Sequence, residues 1–212
     1  MDRRTHSAAA EMLKNTQPAD HPWHEEKFLA RRREISRAAV NLAEETQSVE
    51  AVSVEEIAKE AGISRRTFFN YLPSKMAALL LPYFIVRSTY MGIAISQPEE
   101  ASALEAVRAG IEGAIAHADD FELAARSERV LASFVHAAGS GGEIPNAEAT
   151  QSHLRALEEN LAKREGGESP IELSLIMSLG DHILRLALRS HLDERGKSPS
   201  EVVEEAFLFL GR

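Results

Sequence analysis

The chain has 212 residues, 44% of them hydrophobic, and a formal charge of −9. That is enough apolar material to bury a sizeable core and it excludes disorder throughout, while the absence of cysteine excludes disulfides and thiolate metal sites. The acidic excess lies wholly beyond Lys75: residues 1–75 hold 12 Lys and Arg against 12 Asp and Glu, and the remainder 12 against 21.

The first 24 residues are polar, carry Pro18 and Pro22, and show no period, so residues 1–24 read as a flexible arm. Apolar residues then recur at helical spacing to the end of the chain, with alternation confined to Val49–Val54, and an all-α fold of about nine helices is expected. Helix 1 is predicted from about Glu25 to Thr46, with Phe28, Ile35, Ala39 and Leu42 facing inward. Ser53 caps helix 2, and Glu56 three residues on completes a capping box. Gly62 ends that helix, where a left-handed backbone is cheap only for glycine. Helix 3 starts from Ser64 and is ended by Pro73. A long helix follows from Ser74 to about Ser96, and Gln97-Pro98-Glu99 opens the next. Further breaks fall at His117 to Asp120, Gly139 to Pro145, Gly166 to Pro170 and Arg195 to Pro199.

No signal peptide precedes the first helix, and the most apolar stretch, Ala77 to Ile95, is interrupted by Pro82, Arg87 and Ser88, so a soluble cytoplasmic protein without a membrane partner is expected. Asp119-Asp120 and Glu99-Glu100 suit helix N-termini rather than paired catalytic carboxylates. Ser140 sits in a glycine loop without the strand-to-helix setting of a nucleophile. His21 and His24, or His182 and His191, gather no carboxylate on a shared helix face, so no metal, no cofactor and no enzymatic activity are expected.

The informative stretch is Val54 to Tyr71. Two short helices joined by a glycine turn cross steeply and need a small residue at the crossing, which Ala58 supplies. Ile57, Ala61, Ile63, Phe68 and Leu72 form the inner face. Arg65, Arg66, Thr67, Asn70 and Tyr71 are left pointing outward from a helix too short to be stable alone, a form suited to the major groove, where Arg pairs with guanine and Asn with adenine. Positive charge at Arg31, Arg32, Arg33, Arg37, Arg65, Arg66 and Lys75 can gather into one basic surface, although Arg32 and Arg33 also read as ordinary solvated charges.

With helix 1 ahead and Tyr71-Leu-Pro-Ser-Lys75 behind, the span from about Arg32 to Leu80 resembles the DNA-binding domain of the TetR family of transcriptional regulators. The resemblance implies a helix-turn-helix domain over 25–75 and a ligand-binding and dimerisation domain over 76–212. By resemblance, Ser53 and Val54 lie beside phosphates, Arg65, Arg66, Thr67 and Asn70 face bases or backbone, and Phe69, Tyr71 and Lys75 occupy backbone-contact positions. Two departures stand out: Gln47-Ser48 replaces the usual glycine after helix 1, and Phe69 stands where Tyr is common and cannot donate a hydroxyl to phosphate, so it is free to pack on a sugar or a thymine methyl.

The resemblance further implies a homodimer on palindromic double-stranded operator DNA, acting as a ligand-responsive repressor. The expected dimer residues are Leu175, Leu179, Ile183, Leu186, Val203 and Phe207, from two helices richer in apolar residues than one inward face needs. The expected pocket wall is Phe84, Tyr90, Met91, Ile95, Phe121, Phe134 and His136, which fits a small apolar or amphipathic effector. Two alternatives stay open: an activator or corepressor-dependent regulator on the same fold, and a helical protein-interaction module with a vestigial helix-turn-helix.

Overall fold

A computed structural model describes residues 22–138, 155, 157–164, 169–193 and 196–210. Among them are eight helices and no strand: α1 (Pro22–Thr46), α2 (Val54–Glu60), α3 (Arg65–Tyr71), α4 (Lys75–Ile95), α5 (Ala103–Ile115), α6 (Ala118–Ala138), α7 (Pro170–His191) and α8 (Pro199–Leu210). A helical turn over 157–161 precedes α7. The all-α expectation holds, and the short alternating run Val49–Val54 is a turn whose Val49 and Val52 are buried.

Capping explains most boundaries. Ser53, Ser102 and Ser169 each form a capping box with the Glu three residues on, and Ser64 and Ser74 cap α3 and α4. Gly62 adopts φ +65°, the left-handed turn the sequence required. Gln47 adopts φ +51°, so the chain leaves α1 through the same conformation without a glycine. Three expectations are corrected. Pro22 and the residues after it belong to α1 rather than to an arm. Gln97-Pro98-Glu99 does not open a helix, because the Ser102–Glu105 box fixes the start of α5 at Ala103. Glu99 and Glu100 therefore lie in the preceding turn, whereas Asp119 and Asp120 do occupy the first turn of α6.

Two apolar clusters meet along α4. One joins Ile35, Ala39, Ile57, Phe68 and Leu72 to Leu79, Leu81 and Ile85 of α4 and to Leu123 and Leu131 of α6. The other joins Tyr90 and Met91 to Ile111, Phe121, Leu184, Leu188 and Val203. The core beneath the helix-turn-helix thus continues past Lys75 into α4 and α6. The stretch of α4 is long and apolar enough to cross a bilayer by composition, but 72% of its most apolar window is buried inside the fold.

Pro82 lies inside α4 and cannot donate to the carbonyl of Ala78. The buried Ser36 hydroxyl of α1 donates to that carbonyl at 2.7 Å, filling the place of the missing N–H. Ser127 of α6 donates to the next carbonyl, that of Leu79. Ion pairs reinforce the same junction: Arg33 holds Asp120 through Nε and Nη2, both at 3.0 Å, and Glu44 pairs with Arg126 and Arg129. Burial opposes the ionised form of Glu44, yet the hydrogen bonds and charges of the two arginines prevail and hold its carboxyl below the ordinary range. At the far end of α4, the buried Arg164 guanidinium donates to the carbonyls of Ala94, Gln97, Pro98 and Ala101. α4 is consequently anchored along its length.

Candidate nucleic-acid interface

The helix-turn-helix is built around three fully or nearly fully buried side chains, Ile57, Ala58 and Phe68, with Ala61 and Ile63 half-buried against them. The turn is closed by the N–H of Ile63 donating to the carbonyl of Ala58 at 2.8 Å. Ala58 is buried beside this turn. Burial of Phe68 fixes the rotation of α3 and leaves Arg65, Arg66, Phe69 and Asn70 on its solvent face.

These side chains differ in how far they are already engaged. Arg65 pairs with Glu55 of α2, Nε to Oε1 at 2.8 Å, and its guanidinium carbon lies 5.5 Å from the centre of the Phe69 ring. Phe69 is 45% exposed and rests edge-on against Phe68, centroids 5.4 Å apart. The Thr67 hydroxyl shares a 2.7 Å hydrogen bond with the hydroxyl of Ser64, and the Thr67 N–H donates to that same oxygen, so Thr67 serves the start of α3. Tyr71 is half-buried with its ring 4.9 Å from that of Phe28, so it packs as a lid on the three-helix unit. Ser53 is committed to its capping box, and Val54 is half-buried at the start of α2.

Lys75 was expected on phosphate, but its ammonium is turned inward. Nζ donates to the carbonyls of Val49 at 2.8 Å, Glu50 at 3.3 Å and Val52 at 2.8 Å. An ammonium has three protons, so all of its donors are in use. Lys75 ties the first residue of α4 to the turn that delivers Ser53 and α2. The basic surface contracts for a similar reason: Arg32 is 3% exposed, Arg33 is paired with Asp120 and Arg31 with Glu34. Burial lowers the Arg32 pKa to about 10. Exposed positive charge on the three-helix unit is carried by Arg37, Lys59, Arg65 and Arg66, among others.

Of the expected pocket residues, Tyr90, Met91 and Phe121 are buried in the second core, and Phe84 and Ile95 pack partly buried against it. The side chains of Phe134 and His136, like Ser140 and the Gly139–Pro145 break, lie outside the described residues. Gly180 packs closely on Tyr90, since a Cβ built there would stand 2.7 Å from its hydroxyl. Burial, and then the charge of Asp181, push its phenol pKa upward. A cleft of about 290 Å³ opens instead beside Arg87, Glu158, Ser174, Met177, Ser178 and Asp181. Arg87 is buried and holds Asp181 through Nε at 2.9 Å and Nη2 at 2.8 Å. Sequence reasoning missed this pair, whose members stand 94 positions apart. Among the described residues no cluster of His, Asp and Glu is placed to hold a metal ion.

The expected dimer residues divide into two sets. Leu175, Leu179 and Leu186 are exposed on α7, whereas Ile183, Val203 and Phe207 point into the protomer's own core. Ile171 on α7 and Leu208 and Phe209 on α8 are also more than half exposed.

Residues 35–80, which contain this helix-turn-helix and the first part of α4, match the family model described as bacterial regulatory proteins, tetR family. A comparison with curated proteins finds no match.

Proposed function

We propose that this chain, a DNA-binding transcriptional regulator whose residues 35–80 match the tetR family model, works as a homodimeric, ligand-responsive repressor of a palindromic operator. The observation that carries this reading is the solvent face of α3, where Arg65, Arg66 and Asn70 stand exposed on a helix whose other side is locked into a core by Phe68. Arg and Asn are the side chains whose donor patterns match guanine and adenine edges in the major groove. The N-terminal unit, 25–75, holds the reading head, and 76–212 supplies dimerisation and regulation. Ser53, Val54, Thr67 and Tyr71 contribute shape near the phosphates, with Lys75 acting as an internal clip.

Dimerisation is supported by the apolar side chains left bare on α7 and α8. Ile171 and Phe209 are each 73% exposed and Leu175 57%, more than a solitary surface leucine requires. Two such faces related by a twofold axis would bury each other. The effector is amphipathic, since the cleft beside Met177 carries the charges of Arg87, Glu158 and Asp181. It acts by favouring a position of α4 that the operator-bound dimer cannot adopt, because α4 carries Arg87 near its middle and Lys75 at its first turn.

The test is binding of the full-length chain to duplexes selected from a random pool, with light scattering on the same sample. A dimer in solution and a symmetric selected site are expected. A monomer at working concentration would remove the dimeric reading, and a repressor role fails if the chain raises transcription from a promoter carrying the selected site.

A further inference from the structure

We infer that Glu55 and Phe69 are positioning residues that hold the Arg65 guanidinium in one orientation for recognition of a single guanine in each half-site. This rests on the reading that α3 enters the major groove and Arg65 meets a base.

A free arginine side chain samples many rotamers, and ordering it on a base costs entropy. Here the guanidinium is already gripped from two sides. Glu55, on the neighbouring helix, approaches Nε at 2.8 Å, and the Phe69 ring, one turn further along α3, lies 5.5 Å from the guanidinium carbon. Phe69 is itself propped by the fully buried Phe68. The carboxylate engages the inner nitrogen, leaving the two terminal nitrogens at the outer end of the fork. Those are the atoms that make paired hydrogen bonds to guanine O6 and N7. Both partners are well exposed, Arg65 by 65% and Glu55 by 61%, so the pair contributes little to folding and its placement on the solvent face calls for another role. Phe69 also gains a use that a hydroxyl would not improve: an apolar ring face for the cation.

The carboxylate should carry an electrostatic cost. Glu55 puts a negative charge next to the groove, which weakens attraction to any phosphate backbone. Positioning and simple masking therefore make opposite predictions. If Glu55 orients Arg65, its removal raises affinity for random DNA but lowers discrimination at one base pair. If Glu55 only masks Arg65, removal strengthens both and leaves discrimination intact.

The experiment uses the full-length chain and duplexes recovered from a random pool, comparing wild type with Glu55→Ala, Phe69→Leu and Arg65→Ala at fixed salt. Arg65→Ala should erase a preference of about tenfold or more at one position in each half-site. Glu55→Ala and Phe69→Leu should each cut that same preference by at least about threefold, and Glu55→Ala should tighten binding to random DNA by about two- to threefold. Unchanged thermal melting of Glu55→Ala separates this from a folding defect. The inference is overturned if Arg65→Ala relaxes a position that Glu55→Ala and Phe69→Leu leave within twofold of wild type, or if Glu55→Ala strengthens selected and random DNA alike. Should Arg65→Ala relax no position at all, the underlying reading of Arg65 fails instead.

Discussion

Replacing Lys75 by Met keeps the aliphatic stem and removes the ammonium. Three carbonyls of the turn before α2 then lose a charged donor, those of Val49 and Val52 at 2.8 Å and that of Glu50 at 3.3 Å. Hydrogen bonds to a charged group contribute about 1.5–3 kcal/mol each where water is excluded. The Glu50 bond is exposed and the other two are only partly buried, so water recovers much of that, and a net loss of about 2–3 kcal/mol is expected. For a chain of this size that lowers the melting temperature by about 5–10 °C. Circular dichroism melts measure the loss, and operator titrations at several salt concentrations supply the control. A structural Lys75 predicts weaker binding with an unchanged slope of log affinity against log salt. A melting temperature within about 1 °C of wild type, together with a slope shallower by about one, would show that Lys75 contacts phosphate and that the inward geometry is not its working state.

Ser36→Ala leaves the buried Ala78 carbonyl without a donor because Pro82 cannot supply one, and a loss of about 1–3 kcal/mol in urea unfolding is expected; no loss would mean that another donor reaches that carbonyl. Asp181→Asn strands the Arg87 guanidinium, whose side chain is 5% exposed against 31% for Asp181, and should cost about 2–3 kcal/mol, less than a fully buried pair because water reaches the carboxylate. Acid should loosen the α1–α6 junction: the Glu44 carboxyl is held below its ordinary value near 4.5, so its contribution is complete above that value and disappears as pH falls through the lower folded value. Arg126→Met should flatten the dependence of unfolding free energy on pH in that window, and an unaltered slope would contradict the assignment.

The parts of the fold governed by local rules were readable in the sequence. Ser53 with Glu56, Gly62, and the limits of α4 at Ser74 and Ser96 each follow from a residue meeting a conformational demand of its immediate neighbours. The same rule was present in Ser102-Ala-Leu-Glu105, but Pro98 drew the predicted helix start ahead of Ala103. What escaped were contacts between segments. The division of α7 into an inner Ile183 and an outer Leu186 depends on the helix's rotation, which is set by packing and not by apolar content. Lys75 was assigned to phosphate by resemblance, and nothing in its sequence neighbourhood announces that three carbonyls converge on its ammonium. Arg65 was picked out correctly as a solvent-facing residue of α3, whereas its partner Glu55 lies on another helix and reads in the sequence as a first-turn acid of α2.

The most direct measurement is a hydroxyl-radical footprint of the full-length chain on a duplex selected from a random pool. Two recognition helices related by a twofold axis predict two equivalent protected patches about 10–10.5 base pairs apart, or a multiple of that, both lost together with Arg65→Ala and Arg66→Ala combined. A single unsymmetrical patch, or a footprint indifferent to those substitutions, would contradict the account.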